Sequence, residues 1–365
     1  MKIAVLLSGG VDSSVALNLL AREGHELHAF YLKIWLEDEL AFLGECPWED
    51  DLHYARAVCE SLNVPLTIVP LQAEYLDKVV AYALDELRAG RTPSPDVFCN
   101  RRIKFGAFFD HIDASFDKVA SGHYAQVEER DGEFLLRCSP DRVKDQTYFL
   151  SHLRPDQMAR ACFPLGPYTK AQVRRLATEM ELPNSERKDS QGICFLGKIQ
   201  YRDFVKFHLG EREGRIVDRV TGTDLGPHQG FWFYTIGQRQ GLGLGGGPWF
   251  VSGKDTERNI VYVTHRDHLP EHEEHRFVAG EVNWIAGAPP HSLTGLRVKL
   301  RHGPHMIECS EVVMRADGAL DISLAEREVG IAAGQIAVLY RDDICLGGGV
   351  ILARVTQAIA TESVD

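Results

Sequence analysis

The chain opens on a short apolar run, Ile3-Ala4-Val5-Leu6-Leu7, which is followed at once by Ser8-Gly9-Gly10-Val11-Asp12-Ser13-Ser14. The apolar run predicts a buried strand, and the glycines predict a tight turn into a helix. Backbone N–H groups at such a turn can point at an anion, because the first N–H groups of a helix have no intrahelical acceptor. The stretch therefore predicts a phosphate-binding loop. It lacks the Gly-Lys-Ser/Thr ending of the Walker A arrangement, so transfer of a terminal phosphate is not supported.

Strands and helices alternate after this loop. Apolar patterns predict helices over 11–22, 50–62, 74–89 and 169–181, and strands over 28–34, 65–69 and 118–121. The Asp131-Gly132 pair predicts a tight hairpin. The alternation predicts an α/β fold with a doubly wound parallel sheet, whose ligands lie at the carboxyl ends of the strands. The phosphate-binding loop occupies such an end.

From Gly214 onward the pattern changes to short apolar runs separated by turns such as Ala316-Asp317-Gly318. Runs of this kind are typical of β-rich modules. We therefore expect three domains: a catalytic domain over 1–199, a small β-rich domain over 200–270 and a β-barrel-like domain over 271–358.

Composition limits the classes of protein to consider. The 365 residues are 44% hydrophobic and 25% charged, which leaves room for more than one core. No run approaches the roughly 20 apolar residues of a membrane span, and the first apolar run is already the predicted strand, so we expect a cytoplasmic protein with no membrane partner. The eight cysteines include no Cys-x-x-Cys pair, which argues against structural zinc. A net charge of −12 argues against broad binding to nucleic acids but allows a local basic site.

Two of the cysteines lie within distinctive sequence segments. These are Pro93-Ser94-Pro95-Asp96-Val97-Phe98-Cys99-Asn100 and Lys188-Asp189-Ser190-Gln191-Gly192-Ile193-Cys194-Phe195. Cys99 is predicted near the start of a helix that runs to Ile112. The helix N-terminus and the nearby Arg101, Arg102 and Lys104 predict a lowered thiol pKa and nucleophilic character. A small apolar core residue is the alternative, and it is the interpretation for the remaining cysteines: Cys46, Cys59, Cys138, Cys162, Cys309 and Cys345.

The Ser-Gly-Gly-Xaa-Asp-Ser pattern at 8–13 resembles the pyrophosphate loop of the ATP-pyrophosphatase superfamily. Further motifs follow in order: the two cysteine segments above, Ser121-Gly122-His123-Tyr124, Lys144-Asp145-Gln146-Thr147-Tyr148-Phe149-Leu150, Thr235-Ile236-Gly237-Gln238-Arg239-Gln240-Gly241-Leu242-Gly243 and Cys345-Leu346-Gly347-Gly348-Gly349. Together they resemble the tRNA-specific 2-thiouridylase family over nearly the full length.

The resemblance implies a Rossmann-like catalytic domain of the adenine nucleotide alpha hydrolase type. It implies a sulfurtransferase that adenylates the C2 oxygen of a tRNA wobble uridine with ATP, replaces that oxygen by sulfur, and releases AMP and pyrophosphate. Asp12 then helps to place Mg²⁺. The residues that the resemblance assigns to ATP are Leu7, Ser8, Gly9, Gly10, Val11, Asp12, Ser13, Ser14, Leu32 and Gly122.

The resemblance also assigns the sulfur chemistry. Cys194 accepts persulfide sulfur from a donor protein, and Cys99 is its partner nucleophile, which could form a disulfide with Cys194. Ser94, Pro95 and Asp96 contact the target base, and Asp96 is a general acid or base. The tRNA contacts are His123, Lys144, Asp145, Gln146, Arg301, His302 and Gln335. Independently, apolar and basic residues alternate over 296–301, which predicts a strand with one cationic face.

Three alternatives remain open. A ligase or amidotransferase with the same ATP loop would use an amine as nucleophile and would not need the two cysteines. A non-catalytic tRNA-binding protein would bind tRNA without releasing pyrophosphate. An iron–sulfur cluster held by Cys99, Cys194 and Asp96 would replace the persulfide, because thiolates and a carboxylate can ligate iron.

Overall fold

The computed structural model describes residues 1–34, 48–188, 200–269 and 274–354. Its strands are β1 (Lys2–Leu6), β2 (Glu26–Lys33), β3 (Leu66–Pro70), β4 (Lys118–Ala120), β5 (Ala125–Arg130), β6 (Glu133–Cys138), β7 (Ala161–Cys162), β8 (Gly214–Asp218), β9 (Asp224–His228), β10 (Trp249–Asp255), β11 (Ile260–His265), β12 (Glu274–Trp284), β13 (Arg297–Lys299), β14 (Ile307–Met314), β15 (Leu320–Glu328), β16 (Ile336–Arg341) and β17 (Ile344–Arg354). Its α-helices are α1 (Val11–Arg22), α2 (Trp48–Leu62), α3 (Gln72–Tyr75), α4 (Ala81–Arg88), α5 (Pro95–Cys99), α6 (Thr147–Leu150), α7 (Pro155–Arg160), α8 (Lys170–Glu179) and α9 (Tyr201–Leu209).

A five-stranded parallel sheet with the order β3-β2-β1-β4-β7 forms the first part of the chain. Alternate residues of β1 face opposite sides, so that Ala4 and Leu6 join one apolar cluster, and Ile3, Val5 and Leu7 join another. Both faces are covered, which is why the strand reads as a continuous apolar run. The predicted doubly wound sheet is confirmed, and its switch point lies between β1 and β4.

Helices around this sheet match most of the sequence pattern. The predicted helix over 74–89 is a continuous helical stretch in which a π-helical turn, Leu76–Val80, joins α3 to α4. The single helix that was predicted from the Cys99 region to Ile112 is wrong, because three separate helical segments occupy this stretch. The chain passes from α5 through a π-helical turn, Asn100–Lys104, into a separate 3-10 helix, Ala107–His111. The break falls at Gly106, where a Cβ would lie 2.5 Å from the carbonyl oxygen of Arg102.

The second part of the chain contains a four-stranded sheet, β10-β11-β8-β9, preceded by α9. The sequence pattern predicted only β-structure here and missed this helix. Phe204 and Val205 of α9 are buried in the same apolar cluster as Leu6 and Val97, so the helix belongs to the core of the parallel-sheet domain by packing.

The third part is a closed barrel of six strands, β12-β15-β14-β13-β16-β17, in which β17 pairs back onto β12. Its core includes Phe277, Val298 and Leu339. The hairpin of β5 and β6 turns at Asp131-Gly132 as predicted, and β6 then pairs with β17. A strand pair from the first 199 residues thus extends the barrel sheet. None of the helices in the described residues is long and apolar enough to cross a membrane.

Candidate active site

The loop between β1 and α1 has the geometry of an anion cradle. Gly9 has a φ of 74°, and a Cβ there would lie 2.0 Å from the carbonyl oxygen of Asp51, so only glycine fits. The Ser13 hydroxyl accepts a hydrogen bond from Ser8 N at 3.2 Å and donates to the Gly10 carbonyl at 3.1 Å. Within the described residues no side chain caps α1, which begins after Gly10. The first N–H groups of α1 therefore remain available to a phosphate.

Two further predicted ATP residues flank this loop. Gly122 follows β4, and a Cβ there would lie 2.8 Å from Ser13 N, so the two loops touch backbone to backbone. Leu32 lies near the carboxyl end of β2, on the other side of β1. Leu7 and Val11 are buried, which leaves their backbone groups as the atoms that can face a nucleotide. The structure thus brings all the predicted ATP residues to one end of the sheet.

Asp12 does not fit its predicted role in binding Mg²⁺. Its carboxylate oxygens lie 2.8 and 2.9 Å from Lys170 Nζ, and the Tyr124 hydroxyl donates to Oδ1 at 2.8 Å. A metal ion would have to displace an ammonium group that is only 14% exposed. Elsewhere in the described ranges, no group of three or more His, Cys, Asp or Glu side chains is arranged to hold a metal ion.

The sequence analysis missed two residues that hold the phosphate loop from outside. The Asn184 amide donates to the Gly9 carbonyl at 2.8 Å and to the Ser14 hydroxyl at 2.9 Å. The Arg187 guanidinium donates to the same carbonyl at 3.1 Å and pairs with Asp51. Both residues come just before the Lys188-to-Phe195 motif, and this position is the only sequence signal that could have indicated them.

The segment before Cys99 is held between helices and the barrel. Thr92 N donates to the Ala333 carbonyl at 2.8 Å, next to the turn that leads into β16. Ser94 N donates to the Tyr82 hydroxyl of α4 at 3.4 Å, and Pro95 is the first residue of α5. Proline suits this position because it has no N–H to lose and its φ fits a helix. The start of α5 is therefore held by α4 through Ser94 and by the barrel domain through Thr92.

Cys99 lies deeper than the sequence analysis expected. It is the last residue of α5, not the first turn of a helix, and its side chain is 1% exposed in the main apolar cluster. Arg102 is directed away: its guanidinium carbon lies 4.2 Å from the Phe98 ring centroid, and Nη1 donates to the Lys78 carbonyl at 2.7 Å. Cys99 is thus surrounded by apolar side chains, and its role as a nucleophile stays a prediction. Cys194 lies outside the described residues.

The Asp145 side chain faces the interior, and a tRNA contact by this residue stays a prediction. Its carboxylate is fully buried, accepts from Ser139 N at 3.1 Å and pairs with Lys299 Nζ at 2.9 Å. Lys299 itself is 1% exposed and is therefore withdrawn from the cationic face that was predicted for 296–301, whereas Arg301 is exposed. His123 is 8% exposed, its ring nitrogen Nδ1 bonds the Ser121 hydroxyl at 2.7 Å, and burial lowers its pKa well below the usual range. These residues organise the interior.

The remaining predicted tRNA contacts gather where the 144–150 segment meets the barrel. The His302 ring stacks on Phe149 with centroids 4.6 Å apart, and Nε2 lies 3.1 Å from the Asp145 carbonyl oxygen. Arg301 is 64% exposed and pairs with Glu328 at 2.8 Å. Three further predicted contacts are half-buried: Lys144, Gln146 and Gln335. The exposed Arg301 therefore lies beside the His302–Phe149 stack, at the junction of the 144–150 segment and the barrel.

Comparison with known proteins agrees with this arrangement. Residues 1–198 match the family described as tRNA methyl transferase HUP domain, 202–265 the tRNA methyl transferase PRC-barrel domain, and 274–351 the aminomethyltransferase beta-barrel domain. The chain is 43% identical over 356 residues to tRNA-specific 2-thiouridylase MnmA 1 of Bacteroides thetaiotaomicron, with 96% of this chain and 99% of that protein covered. It is 41% identical over 361 residues to tRNA-specific 2-thiouridylase MnmA of Porphyromonas gingivalis, with the same coverage of 96% and 99%. The chain belongs to the tRNA-specific 2-thiouridylase family.

Membership of the tRNA-specific 2-thiouridylase family confirms the predicted fold class, an α/β domain followed by β-rich domains. It also fits ATP as the nucleotide of the loop between β1 and α1. Among solved structures, the U34-tRNA thiolase NcsA from Methanococcus maripaludis with its 4Fe–4S cluster matches with a TM-score of 0.34 and 20% identity, over 56% of this chain and 64% of that one.

Proposed function

We propose that this protein uses ATP to replace the C2 oxygen of a tRNA wobble uridine by sulfur. The observation that carries the proposal is the position of the Ser121–His123 loop, which touches the phosphate loop on one side and packs, through the Phe163 ring, near the segment after Cys99, in a chain of this family. Gly122 touches the phosphate loop at Ser13, and the Phe163 ring centroid lies 5.8 Å from those of both His123 and Phe105. Leu6, at the end of β1, and Cys99 also belong to one apolar cluster, so nucleotide and thiol chemistry are proposed to take place close together.

The first step is adenylation. The C2 oxygen of the uridine attacks the α-phosphorus of ATP, which forms an O-adenylated base and releases pyrophosphate. N–H groups around Gly9 and Gly10 hold the phosphates, and Ser94, Pro95 and Asp96 contact the base. Mg²⁺ is proposed to accompany ATP, with ligands other than the Asp12 carboxylate, which Lys170 occupies.

The second step moves sulfur. The terminal sulfur of a persulfide on Cys194 attacks C2 and expels AMP, which leaves the base joined to Cys194 through an S–S bond. The Cys99 thiolate then attacks Cys194 Sγ; a Cys99–Cys194 disulfide forms, and 2-thiouridine leaves with the electron pair of the broken bond. An external thiol must supply two electrons to reopen the disulfide. A persulfide-carrying donor protein recharges Cys194.

The buried position of Cys99 sets a requirement on the tRNA. C2 of a stacked base cannot reach a thiol that is 1% exposed, so the uridine must leave the anticodon stack and enter the protein. Unstacking costs a few kcal/mol, and least in a single-stranded loop. The surface around Arg301, His302 and Gln335 is proposed to hold the tRNA during this step.

Mass spectrometry of nucleosides tests the proposal directly. Unmodified tRNA is incubated with ATP, Mg²⁺, a low-molecular-weight persulfide as the sulfur donor and a thiol as the reductant, using the wild-type protein, Cys99→Ser, Cys194→Ser and the control Cys309→Ser. We expect 2-thiouridine that needs ATP, is lost in the first two variants and persists in the control. Pyrophosphate release without thiolation would support an amine-using ligase instead, and tRNA binding with neither product would support a non-catalytic binder. A broad visible absorption band from anaerobically purified protein would favour the iron–sulfur alternative.

A further inference from the structure

The segment in front of Ser94 receives a contact from the four-stranded sheet, to which the proposed function assigns no role. Lys254, near the end of β10, donates from Nζ to the Gly90 carbonyl at 3.1 Å. A Cβ on Gly90 would lie 2.6 Å from Thr256 Cγ2, so the turn after β10 packs directly against the Gly90 backbone. The sheet thus contacts the chain only four residues before Ser94.

The contacted residue is also the one that ends α4. Gly90 has a φ of 76°, and its N–H donates to the Leu87 carbonyl at 3.0 Å. The next N–H, of Arg91, donates to the Glu86 carbonyl at 2.9 Å, which completes the Schellman motif of a helix C-terminus. An ammonium group at this end of a helix interacts favourably with the helix dipole. Lys254 therefore contacts the point at which the chain leaves α4.

The residues that follow are held by the other parts of the molecule. Thr92 N donates to the Ala333 carbonyl, in the barrel part of the chain, at 2.8 Å. Ser94 N donates to the Tyr82 hydroxyl of α4 at 3.4 Å. The short stretch from Gly90 to Ser94 is therefore bonded to the four-stranded sheet, to the barrel and to the parallel-sheet domain, one after another.

The chemistry of the Lys254 ammonium makes its bond the strongest candidate for an anchor. Burial lowers the pKa of Lys254 to about 8, so the group still carries its charge for the most part at pH 7. A hydrogen bond from a charged donor is stronger than one between neutral groups. Loss of the ammonium would take this donor from the Gly90 carbonyl and would free the start of the stretch.

We propose that Lys254 is a positioning residue through which the four-stranded sheet holds the 90–96 segment in place for the target uridine. This inference rests on the proposed function, which gives Ser94, Pro95 and Asp96 their contact with the base. Lys254 acts through the Gly90 backbone and not on the reacting atoms. The four-stranded sheet then takes part in the reaction by placing the segment that binds the base.

Arg219 provides a matched control within the same sheet. Its Nη1 donates to the Ser252 carbonyl of β10 at 2.8 Å, so it is also a cation bonded to a backbone carbonyl. Within the described ranges, none of its hydrogen bonds involves residues 90–96. Lys254→Met and Arg219→Met each remove one bond of this kind, but only the first removes a partner of Gly90.

Hydrogen–deuterium exchange of the peptide 90–96 in the free protein at pH 7 tests the anchoring. Lys254 bonds a carbonyl, so its loss removes no partner of an N–H group in this peptide. Faster exchange would therefore report movement of the segment itself. We expect Lys254→Met to speed this exchange by about tenfold, the equivalent of one charge-assisted hydrogen bond, and Arg219→Met to leave it unchanged.

Thiolation kinetics separate positioning from folding and binding. We expect Lys254→Met to lower kcat by about tenfold at saturating tRNA and ATP, because the base is placed less well. The Kd for tRNA and the Kd for ATP should stay unchanged, since the surface around Arg301 and His302 and the phosphate loop are left intact. The melting temperature reports folding. Lys254→Gln repeats the test with a polar side chain, so that a folding defect of the methionine variant alone does not decide the result.

Two results would overturn the inference: unchanged exchange of peptide 90–96 in both Lys254 variants, or equal losses of kcat in Lys254→Met and Arg219→Met. A joint loss of melting temperature and of both affinities in the two Lys254 variants would show a general structural role and would overturn it as well. Failure of the wild-type protein to thiolate tRNA would instead overturn the proposed function, on which the exchange measurement in the free protein does not depend.

Discussion

Lys299 and Asp145 form an ion pair of 2.9 Å in which both side chains are withdrawn from solvent, with exposures of 1% and 0%. The two residues belong to different parts of the chain, the barrel strand β13 and the loop before α6. Asp145 is also bonded to Ser139 N and to the Thr147 hydroxyl, so its charge is fully compensated. The pair fixes the register in which the barrel docks on the segment that carries Tyr148.

Lys299→Met is expected to destabilise the protein strongly. The substitution leaves a buried carboxylate without its cation, which typically costs about 3–5 kcal/mol of unfolding free energy. Urea unfolding followed by circular dichroism measures the loss. Arg315→Met is the control, because Arg315 and Asp321 form a solvent-exposed pair on the same barrel and should matter little. A similar small effect from both variants would contradict the importance of the buried pair.

Gly122→Ala is expected to weaken ATP binding. A Cβ at this position would lie 2.8 Å from Ser13 N, so the phosphate loop must shift. Such overpacking typically costs about 1–3 kcal/mol, which corresponds to a rise in Kd of about tenfold or more. Calorimetric titration with ATP measures it. Gly245→Ala, where a Cβ meets nothing within 4 Å, is the control, and an unchanged Kd for Gly122→Ala would mean that the two loops are not packed this tightly.

The features that could be predicted from sequence are those set by neighbouring residues. The strand before Ser8, the turn at Gly9 and the hairpin at Asp131-Gly132 follow from local apolar periodicity and from glycine conformations. The family motifs extended this to the ATP loop and the barrel. The spacing of apolar residues over 201–209 also indicates a helix. The sequence analysis did not predict this helix, because it expected a β-rich domain after residue 199.

The features that could not be predicted depend on partners far along the chain. Lys299 reads as one member of a cationic strand face, and its burial follows only from a carboxylate 154 positions away. Cys99 reads as a thiol at a helix start, whereas the π-helical turn after it and the packing of the core place it inside. The attachment of β6 to β17 likewise joins residues about 200 positions apart, for which a single sequence holds no local signal.

Arg187 is expected to contribute to nucleotide affinity through the phosphate loop. Its guanidinium bonds the Gly9 carbonyl and pairs with Asp51, whose backbone packs against Gly9. Arg187→Gln should raise the Kd for ATP by about fivefold, the equivalent of one charge-assisted hydrogen bond partly compensated by water. Arg187→Lys should recover little, because an ammonium cannot reproduce the two-pronged contact.

The control for Arg187 is Arg88→Gln, which removes an exposed arginine paired with Asp85 on α4. ATP titrations of the three variants and the wild-type protein should separate the loop contact from a general loss of positive charge. If Arg88→Gln and Arg187→Gln shift the Kd equally, the contact to Gly9 does not govern affinity.

His152 is expected to make the protein sensitive to acid. The residue is 1% exposed, and burial, together with the charges of Arg101 and Arg102, lowers its pKa to about 3. The Ser151 hydroxyl donates to the Tyr148 carbonyl at 2.9 Å, so His152 Nδ1–H must donate to Ser151 Oγ at 3.2 Å. Nε2 is then a buried lone pair with no hydrogen-bond partner among the described residues, and a proton placed there would have no acceptor.

The sign of the pH effect follows from the two states. In the unfolded chain His152 titrates near its usual pKa of 6.5, whereas in the folded protein it stays neutral down to about pH 3. Between these values the unfolded state binds one more proton, so the free energy of unfolding falls as the pH falls, by up to about 1.4 kcal/mol per pH unit. His152→Gln should remove this contribution, and the stability lost between pH 6.5 and pH 5 should be smaller by about 1.6 kcal/mol than in the wild-type protein. Urea unfolding at the two pH values measures the difference. The control is His305→Gln, which replaces an exposed histidine. If the free energy of unfolding falls equally in the wild-type protein and both variants, His152 titrates normally in the folded state.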